Sequence, residues 1–163
     1  MRFGKLPGDL GFFHPAALVS TWWGSGLLPG APGTWGSLAT LPFAWVIAAH
    51  WGSEWLLLAA ALALAAGLAA SHRYLRNSAS KDPGTIVIDE TAGQFLALAA
   101  APPDVWWFAA GFVLFRIADI LKPWPASWAD RKLPGAFGVM IDDVFAGAYA
   151  LAVLYAAREL LAG

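Results

Sequence analysis

The sequence predicts an all-α membrane protein, a compact bundle of about four to five hydrophobic helices with an N-terminal interfacial segment. Of its 163 residues, 59% are hydrophobic and 13% are charged, whereas soluble domains have roughly 45 to 50% and about 25%. The apolar residues are gathered into long segments, and the basic residues fall on alternate connections between them. No linker or repeat divides the chain, so we expect a single domain, 1–163.

Five segments, taken with their polar ends, approach the roughly 20 residues that a helix needs to cross about 30 Å of hydrocarbon. They are 34–51, 53–71, 85–101, 104–122 and 138–158. A short apolar run can equally be a core helix of a soluble bundle, so a single segment does not decide between the two.

The first segment is preceded by a loop rich in glycine and proline. Gly30, Pro32 and Gly33 predict that no regular helix forms there, and Thr34 is then placed to cap the helix that follows. Such a helix start is a candidate anion site, or it is simply a turn that enters the membrane. Upstream, residues 15–23 predict an amphipathic helix in the membrane interface.

The charges predict the orientation. Basic residues occupy the N-terminal segment and the second and fourth connections, whereas the first and third connections have none. These residues are Arg2, Lys5, Arg73, Arg76, Lys81, Arg116, Lys122, Arg131 and Lys132. By the positive-inside rule, this pattern predicts that the N-terminus and the even connections face the cytoplasm. Trp51, Trp55, Trp106 and Trp107 would then form an aromatic belt at the opposite interface.

Composition also excludes several classes of function. A net charge of −1 argues against a nucleic-acid partner, because such proteins usually display a basic face. The chain has no cysteine, so disulfides, thiol nucleophiles and thiolate metal sites are ruled out.

Two pairs of adjacent acids lie in apolar surroundings, Asp89 with Glu90 and Asp142 with Asp143. An unpaired buried carboxylate costs several kcal/mol, and neighbouring carboxylates repel each other unless a cation lies between them. Oxygen ligands select a hard ion, with Mg²⁺ favoured over Mn²⁺ or Ca²⁺. Intramembrane carboxylates are more often functional than structural. Asp82 and Asp130, in contrast, are well explained as charges that neutralise basic loops.

Four stretches resemble, in the same order, the signatures of the phosphatidylglycerophosphatase A family. They are "GLLPGAPGTWGSL", "DPGTIVIDETAGQ", "FRIADILKPWP" and "GVMIDDVFAG", between Gly26 and Gly147. The resemblance implies an Mg²⁺-dependent, multi-pass enzyme of the bacterial inner membrane whose active site faces the cytoplasm. Its partners would be membrane lipids and its substrate phosphatidylglycerophosphate, which it would convert into phosphatidylglycerol and phosphate. Similar sequences tend to have Gly-Gly where this chain has Gly135 and Ala136.

The matching positions give the candidate site residues. The catalytic candidates are Asp89, Glu90, Asp142 and Asp143. The metal candidates are Glu90, Asp119, Asp142 and Asp143. The substrate-binding candidates are Thr34, Ser37, Asp82, Arg116 and Lys122. Water activated by the metal would attack phosphorus, with an aspartyl-phosphate intermediate as the alternative route. The alternative function is a carboxylate-lined cation transporter, whose site is expected near the bilayer midplane. The sequence does not fix the oligomeric state.

Overall fold

A computed structural model describes residues 3–76, 78–80 and 82–162, so Arg2 and Lys81 lie outside the described residues. The described residues form helices and contain no strand, which confirms the all-α prediction. The α-helices are α1 (Pro15–Ser20), α2 (Pro32–Trp51), α3 (Trp55–Leu75), α4 (Ile88–Leu98), α5 (Val105–Leu121), α6 (Ala126–Lys132) and α7 (Gly135–Ala162), with a 3₁₀ turn at Ser25–Leu27.

Two of these helices are both long enough and apolar enough to cross a membrane. They are α3, with 21 residues, and the stretch Gly135–Leu161 of α7, with 27. The outer face of α3 carries Leu57, Leu58 and Leu62, all exposed, as expected of a lipid-facing helix. Together these features indicate a membrane protein.

The predicted third spanning segment, 85–101, is wrong in length. Helix α4 has only 11 residues, or about 16 Å at 1.5 Å per residue, roughly half the hydrocarbon thickness. Nine of the 11 residues are buried, because α4 packs chiefly between α7 and α3. It is therefore the central helix of the core and not a membrane-crossing one.

The loop before α2 also differs from expectation. Helix α2 begins at Pro32, with Ala31 as its N-cap, so Thr34 lies within the first turn and is not the cap. Proline suits the first helical position, because its fixed φ is already helical and the N–H that it lacks would have no partner there. Helix α1 (Pro15–Ser20) is shorter than the helix predicted for residues 15–23, because Trp22 and Trp23 have positive φ values of 44° and 58° and the helix ends before them.

Helices α4 and α7 approach each other through two glycines, Gly93 and Gly147. A Cβ atom on Gly147 would lie 2.5 Å from the carbonyl oxygen of Gly93, and one on Gly93 would lie 2.6 Å from the carbonyl oxygen of Asp143. Small residues permit this close backbone packing. Asp89 precedes Gly93 by four residues, and Asp143 precedes Gly147 by four. Each acid therefore lies one turn before the crossing, on the face of its own helix that bears the glycine.

Substituting Gly147 by alanine tests this packing. The added methyl group forces the two helices apart, so we expect the free energy of unfolding to fall by about 1 to 3 kcal/mol. The measurement is thermal unfolding of the detergent-solubilised protein. Gly11→Ala is the matched control, because a Cβ at Gly11 meets nothing within 4 Å. Equal midpoints for the two variants would contradict the close approach.

Candidate metal centre

The centre of the candidate site is a cluster of three carboxylates, formed by Asp89, Glu90 and Asp143. One oxygen from each lies within 4.8 Å of the other two. Asp89 and Glu90 come from the first turn of α4, and Asp143 comes from α7. Asp89 is 8% exposed and Asp143 is 3% exposed. The structure thus brings together three of the predicted acids at one end of the bundle.

Asp142 does not belong to this cluster, although it is the neighbour of Asp143. Successive residues of a helix point about 100° apart, and the Oδ2 of Asp142 accepts a hydrogen bond from Lys122 Nζ at 2.6 Å. Of the predicted metal set of Glu90, Asp119, Asp142 and Asp143, the cluster contains Glu90 and Asp143, and Asp89 is its third member. Adjacency in the sequence suggested a shared ligand, but helix geometry separates the two side chains.

Asp119 lies at the border of the cluster. Its Oδ2 is 2.5 Å from Arg116 Nη1, one turn earlier on α5, and its carboxylate is close enough to Asp143 to interact with it. Arg116 Nη1 also lies 3.8 Å from Glu90 Oε1. Asp119 is thus closely paired with a cation, unlike Asp89 and Asp143 at the centre.

Burial and mutual repulsion disfavour the ionised form of the acids on α4. Burial raises the pKa of Asp89, and the adjacent Glu90 raises that pKa further. Burial likewise raises the pKa of Glu90, against the opposing effects of Asp89 and Arg116. Oxygen Oε2 of Glu90 and oxygen Oδ2 of Asp143 are buried without a hydrogen-bond partner among the described residues. Oxygens of this kind fit a hard divalent cation, which would balance the charge and occupy the free lone pairs.

Lys122 lies beside Asp142, the acid next to the central cluster. It follows the last residue of α5 in a left-handed conformation, with φ 45° and ψ 60°. Its ammonium donates to Asp130 Oδ1 and Asp142 Oδ2, both at 2.6 Å. Partial burial alone would lower the pKa of Lys122, but these two acidic partners outweigh it and raise the pKa above its usual value.

The start of α2 completes the wall of the site. A Cβ atom on Gly33 would collide with Glu90 Oε1 and lie 3.0 Å from Arg116 Nη1. The absence of a side chain at Gly33 therefore lets the first turn of α2, with its free backbone N–H groups, lie directly against Glu90 and Arg116.

The other predicted substrate-binding residues, Thr34, Ser37 and Asp82, are not part of the carboxylate cluster. Thr34 is half-buried in the first turn of α2. The buried Ser37 donates its hydroxyl to the carbonyl oxygen of Gly33 at 2.9 Å, so this hydroxyl is held by its own helix. Asp82 is exposed and interacts with Lys122 and Asp130. Asp82 therefore lies near Lys122 and Asp130.

Sequence reasoning missed Gln94, which is fully buried one turn after Glu90. Both polar atoms of its side-chain amide lack a hydrogen-bond partner among the described residues. The only signal in the sequence was the spacing of four residues from Glu90, which places the two side chains on one face of α4.

The fold and the site define a class of protein. It is an all-α membrane protein with a buried carboxylate cluster whose oxygens could hold a hard cation, bordered by an arginine and a lysine that suit an anionic ligand.

Comparison with known proteins identifies the family. The family model for phosphatidylglycerophosphatase A matches residues 18–158, and the chain belongs to this family. A protein named phosphatidylglycerophosphatase A from Escherichia coli strain K12 is 41% identical over 143 residues, covering 87% of this chain and 83% of that protein. One of the same name from Haemophilus influenzae is 40% identical over 148 residues, covering 90% and 91%.

A third relative has a different name. A putative phosphatidylinositol-3-phosphatase from Bacteroides thetaiotaomicron is 35% identical over 157 residues, covering 88% of this chain and 94% of that protein. No solved structure matches the chain.

Replacing Gln94 with methionine tests whether its amide is unpaired. Methionine keeps most of the volume and removes a buried amide without partners, so we expect the free energy of unfolding to rise by about 1 kcal/mol. The control is Thr91→Val on the same helix. The hydroxyl of Thr91 accepts from Thr40 and donates to the Val87 carbonyl oxygen, both at 3.1 Å, so its loss should lower stability by about 1 kcal/mol. If both variants were destabilised alike in thermal unfolding, Gln94 would have a partner after all.

Proposed function

We propose that this chain is an Mg²⁺-dependent phosphatase of the bacterial inner membrane that hydrolyses phosphatidylglycerophosphate to phosphatidylglycerol and phosphate. The observation that carries the proposal is the cluster of Asp89, Glu90 and Asp143, with ligand oxygens within 4.8 Å of one another and with Arg116 and Lys122 on either side. Family membership supports the same conclusion.

Asp89, Glu90 and Asp143 would hold the metal ion. The ion would supply positive charge for the phosphoryl oxygens and lower the pKa of the attacking water. Asp119 remains the fourth candidate ligand, at the border of the cluster.

Arg116 and Lys122 would donate hydrogen bonds to the phosphate group. Arg116 Nε is buried without a partner among the described residues, so this N–H is available to a phosphate oxygen. Lys122 has three N–H donors, and the carboxylates of Asp130 and Asp142 engage two of them. The proposed phosphate position therefore lies between Arg116 and Lys122, with the first turn of α2 as a further source of donors.

Asp142 has a separate role in the proposal. It lies beside the metal-binding acids but outside their cluster, and its Oδ1 is buried without a partner among the residues described. It is therefore the carboxylate best suited to accept the proton that the attacking water loses and to pass it to the glycerol oxygen as the bond between that oxygen and phosphorus breaks. Lys122 fixes its orientation.

We further propose a multi-pass arrangement with the carboxylate end of the bundle in the cytoplasm. Two observations support this orientation. Arg116, Lys122, Arg131 and Lys132 belong to the carboxylate end, and such residues are enriched on the cytoplasmic side. Trp51, Trp55 and Trp106 lie at the opposite end and are 51 to 79% exposed, as in an interfacial belt, whereas Trp107 packs against the core.

The position of the acids favours a phosphatase over a cation transporter. Asp89 and Glu90 lie in the first turn of α4, at the end of the bundle. A transporter site is expected near the middle of the membrane, between broken helices.

Metal dependence and the role of Asp143 can be tested together. We expect phosphate release from phosphatidylglycerophosphate in detergent to stop on chelation and return with Mg²⁺. Asp143→Asn should lower turnover at least about 100-fold, because it removes one ligand charge, while circular dichroism shows unchanged helicity. Glu54→Gln, at an exposed acid of the opposite end, is the control and should retain full activity. Normal turnover of Asp143→Asn, or turnover after chelation, would refute the metal site.

The chemical route can be tested by quenching turnover in acid with substrate labelled in the terminal phosphate. We expect no label on the protein, because the proposal has water attacking phosphorus directly. Label retained by the denatured protein would favour an aspartyl-phosphate intermediate.

The substrate is tested with a panel of phosphatidylglycerophosphate, phosphatidate and phosphatidylinositol 3-phosphate. We expect kcat/KM to be highest for the first of these. A clear preference for the inositol lipid would reassign the substrate.

A further inference from the structure

The backbone at Lys122 is held in an unusual conformation. Its φ of 45° and ψ of 60° are left-handed, a region that residues other than glycine seldom adopt because Cβ crowds the following carbonyl oxygen. The chain turns sharply here between α5 and α6. The turn brings the long side chain to α6 and α7 at once.

The ammonium of Lys122 bridges two acids in different environments. Asp130 Oδ1 and Asp142 Oδ2 both lie 2.6 Å from Nζ, but the Asp130 side chain is 38% exposed and the Asp142 side chain is 7% exposed. The ammonium therefore lies at the boundary between solvent and the buried acids. Asp130 holds it from the outer side and Asp142 from the inner side.

A cavity of about 570 Å³ opens beside this bridge. It is formed by the connection after α3, by α6 and by the start of α7. Its lining includes Asp82, Asp130 and Lys132, but not Lys122, Asp142 or Asp143. Asp130 forms part of the cavity wall and contacts Lys122, so it connects the cavity to the ammonium that contacts the buried Asp142.

We propose that Asp130 is a positioning residue of the phosphatase reaction, which keeps the Lys122 ammonium between this cavity and the carboxylate cluster so that its third N–H is free for the substrate phosphate. This inference depends on the proposed function. Asp130 does not touch the reacting atoms and acts only through Lys122. The sequence alone had assigned it no more than a neutralising role.

The physical reason is conformational. A lysine side chain has four rotatable methylene groups and a single point charge, so it needs two anchors to be held in one place. Without Asp130, the ammonium would close onto Asp142 as an ordinary ion pair and would have to be drawn away when phosphate binds. The loss should therefore appear in substrate binding more than in the chemical step.

The test compares wild type, Asp130→Asn and Asp130→Glu in the detergent assay with phosphatidylglycerophosphate. Asn has the shape of Asp but lacks its charge, and we expect it to raise KM about tenfold while kcat changes less than about twofold. Asp130→Glu keeps the charge and should recover most of the loss. Because an exposed ion pair adds little stability, the thermal midpoint of Asp130→Asn should change by less than about 3 °C.

The matched control is Asp9→Asn. Asp9 Oδ2 lies 2.8 Å from Arg73 Nη1, in an ion pair of comparable exposure outside the carboxylate cluster. We expect this variant to have the kinetic constants of wild type.

The possible outcomes separate the two proposals. If wild type releases no phosphate, the proposed function itself fails. If wild type is active and Asp130→Asn has the KM of the Asp9→Asn control, or a lower one, the positioning role is refuted. The role is also refuted if Asp130→Glu is no better than Asp130→Asn, or if kcat falls as far as KM rises. If Asp130→Asn fails to fold while the folded Asp130→Glu variant has wild-type kinetics, a purely structural role replaces the proposed one.

Discussion

The contact between the backbones of α4 and α7 at Gly93 and Gly147 is the constraint on which the site depends. Each glycine ends a five-residue stretch that starts with an aspartate, "DETAG" on α4 and "DVFAG" on α7. Because one helical turn separates acid from glycine on both helices, close packing of the glycines brings Asp89 and Asp143 together. The packing thus holds the two carboxylates at a distance that like charges would avoid if their helices were free, and a bound cation would relieve this repulsion.

Charge pairing is arranged in two zones around this centre. At the border, Arg116 is paired with Asp119 and Lys122 with Asp142. At the centre, Asp89 and Asp143 form no ion pair with lysine or arginine among the described residues. The border acids are balanced by the chain itself, whereas Asp89 and Asp143 have no such partner and could be balanced by a bound cation. This difference explains why the central cluster is the metal candidate although all of these residues share one end of the bundle.

The all-α fold and several acids of the candidate site could be predicted from the sequence. Apolar segments separated by polar turns predicted the all-α fold. The apolar surroundings of Asp89, Glu90 and Asp143 indicated that these acids are candidate site residues. Both signals are local in the sequence. The sequence could not show that Asp142 points to Lys122, since that depends on how α7 is rotated against its neighbours. Nor could it show that α4 is a short core helix of 11 residues. In the sequence, an apolar segment that is buried in protein looks the same as one that faces lipid. Nor could the sequence show that Asp130 pairs with Lys122, because the two residues are eight positions apart, beyond any helical spacing.

The short length of α4 connects the fold to the proposed reaction. A phosphate dianion is costly to bring into hydrocarbon, so a lipid phosphatase needs its metal site at the membrane surface while the acyl chains of the substrate remain in the bilayer. The first turn of α4 lies at the carboxylate end of the bundle. The positive end of the helix dipole is there, and it favours the ionised form of Asp89 and Glu90. Had α4 spanned the membrane with the same acids nearer its middle, they would have lost both this dipole and access to the water that the hydrolysis consumes. A short buried helix between two long apolar ones is thus a direct way to present acids from an oily chain to a charged head group.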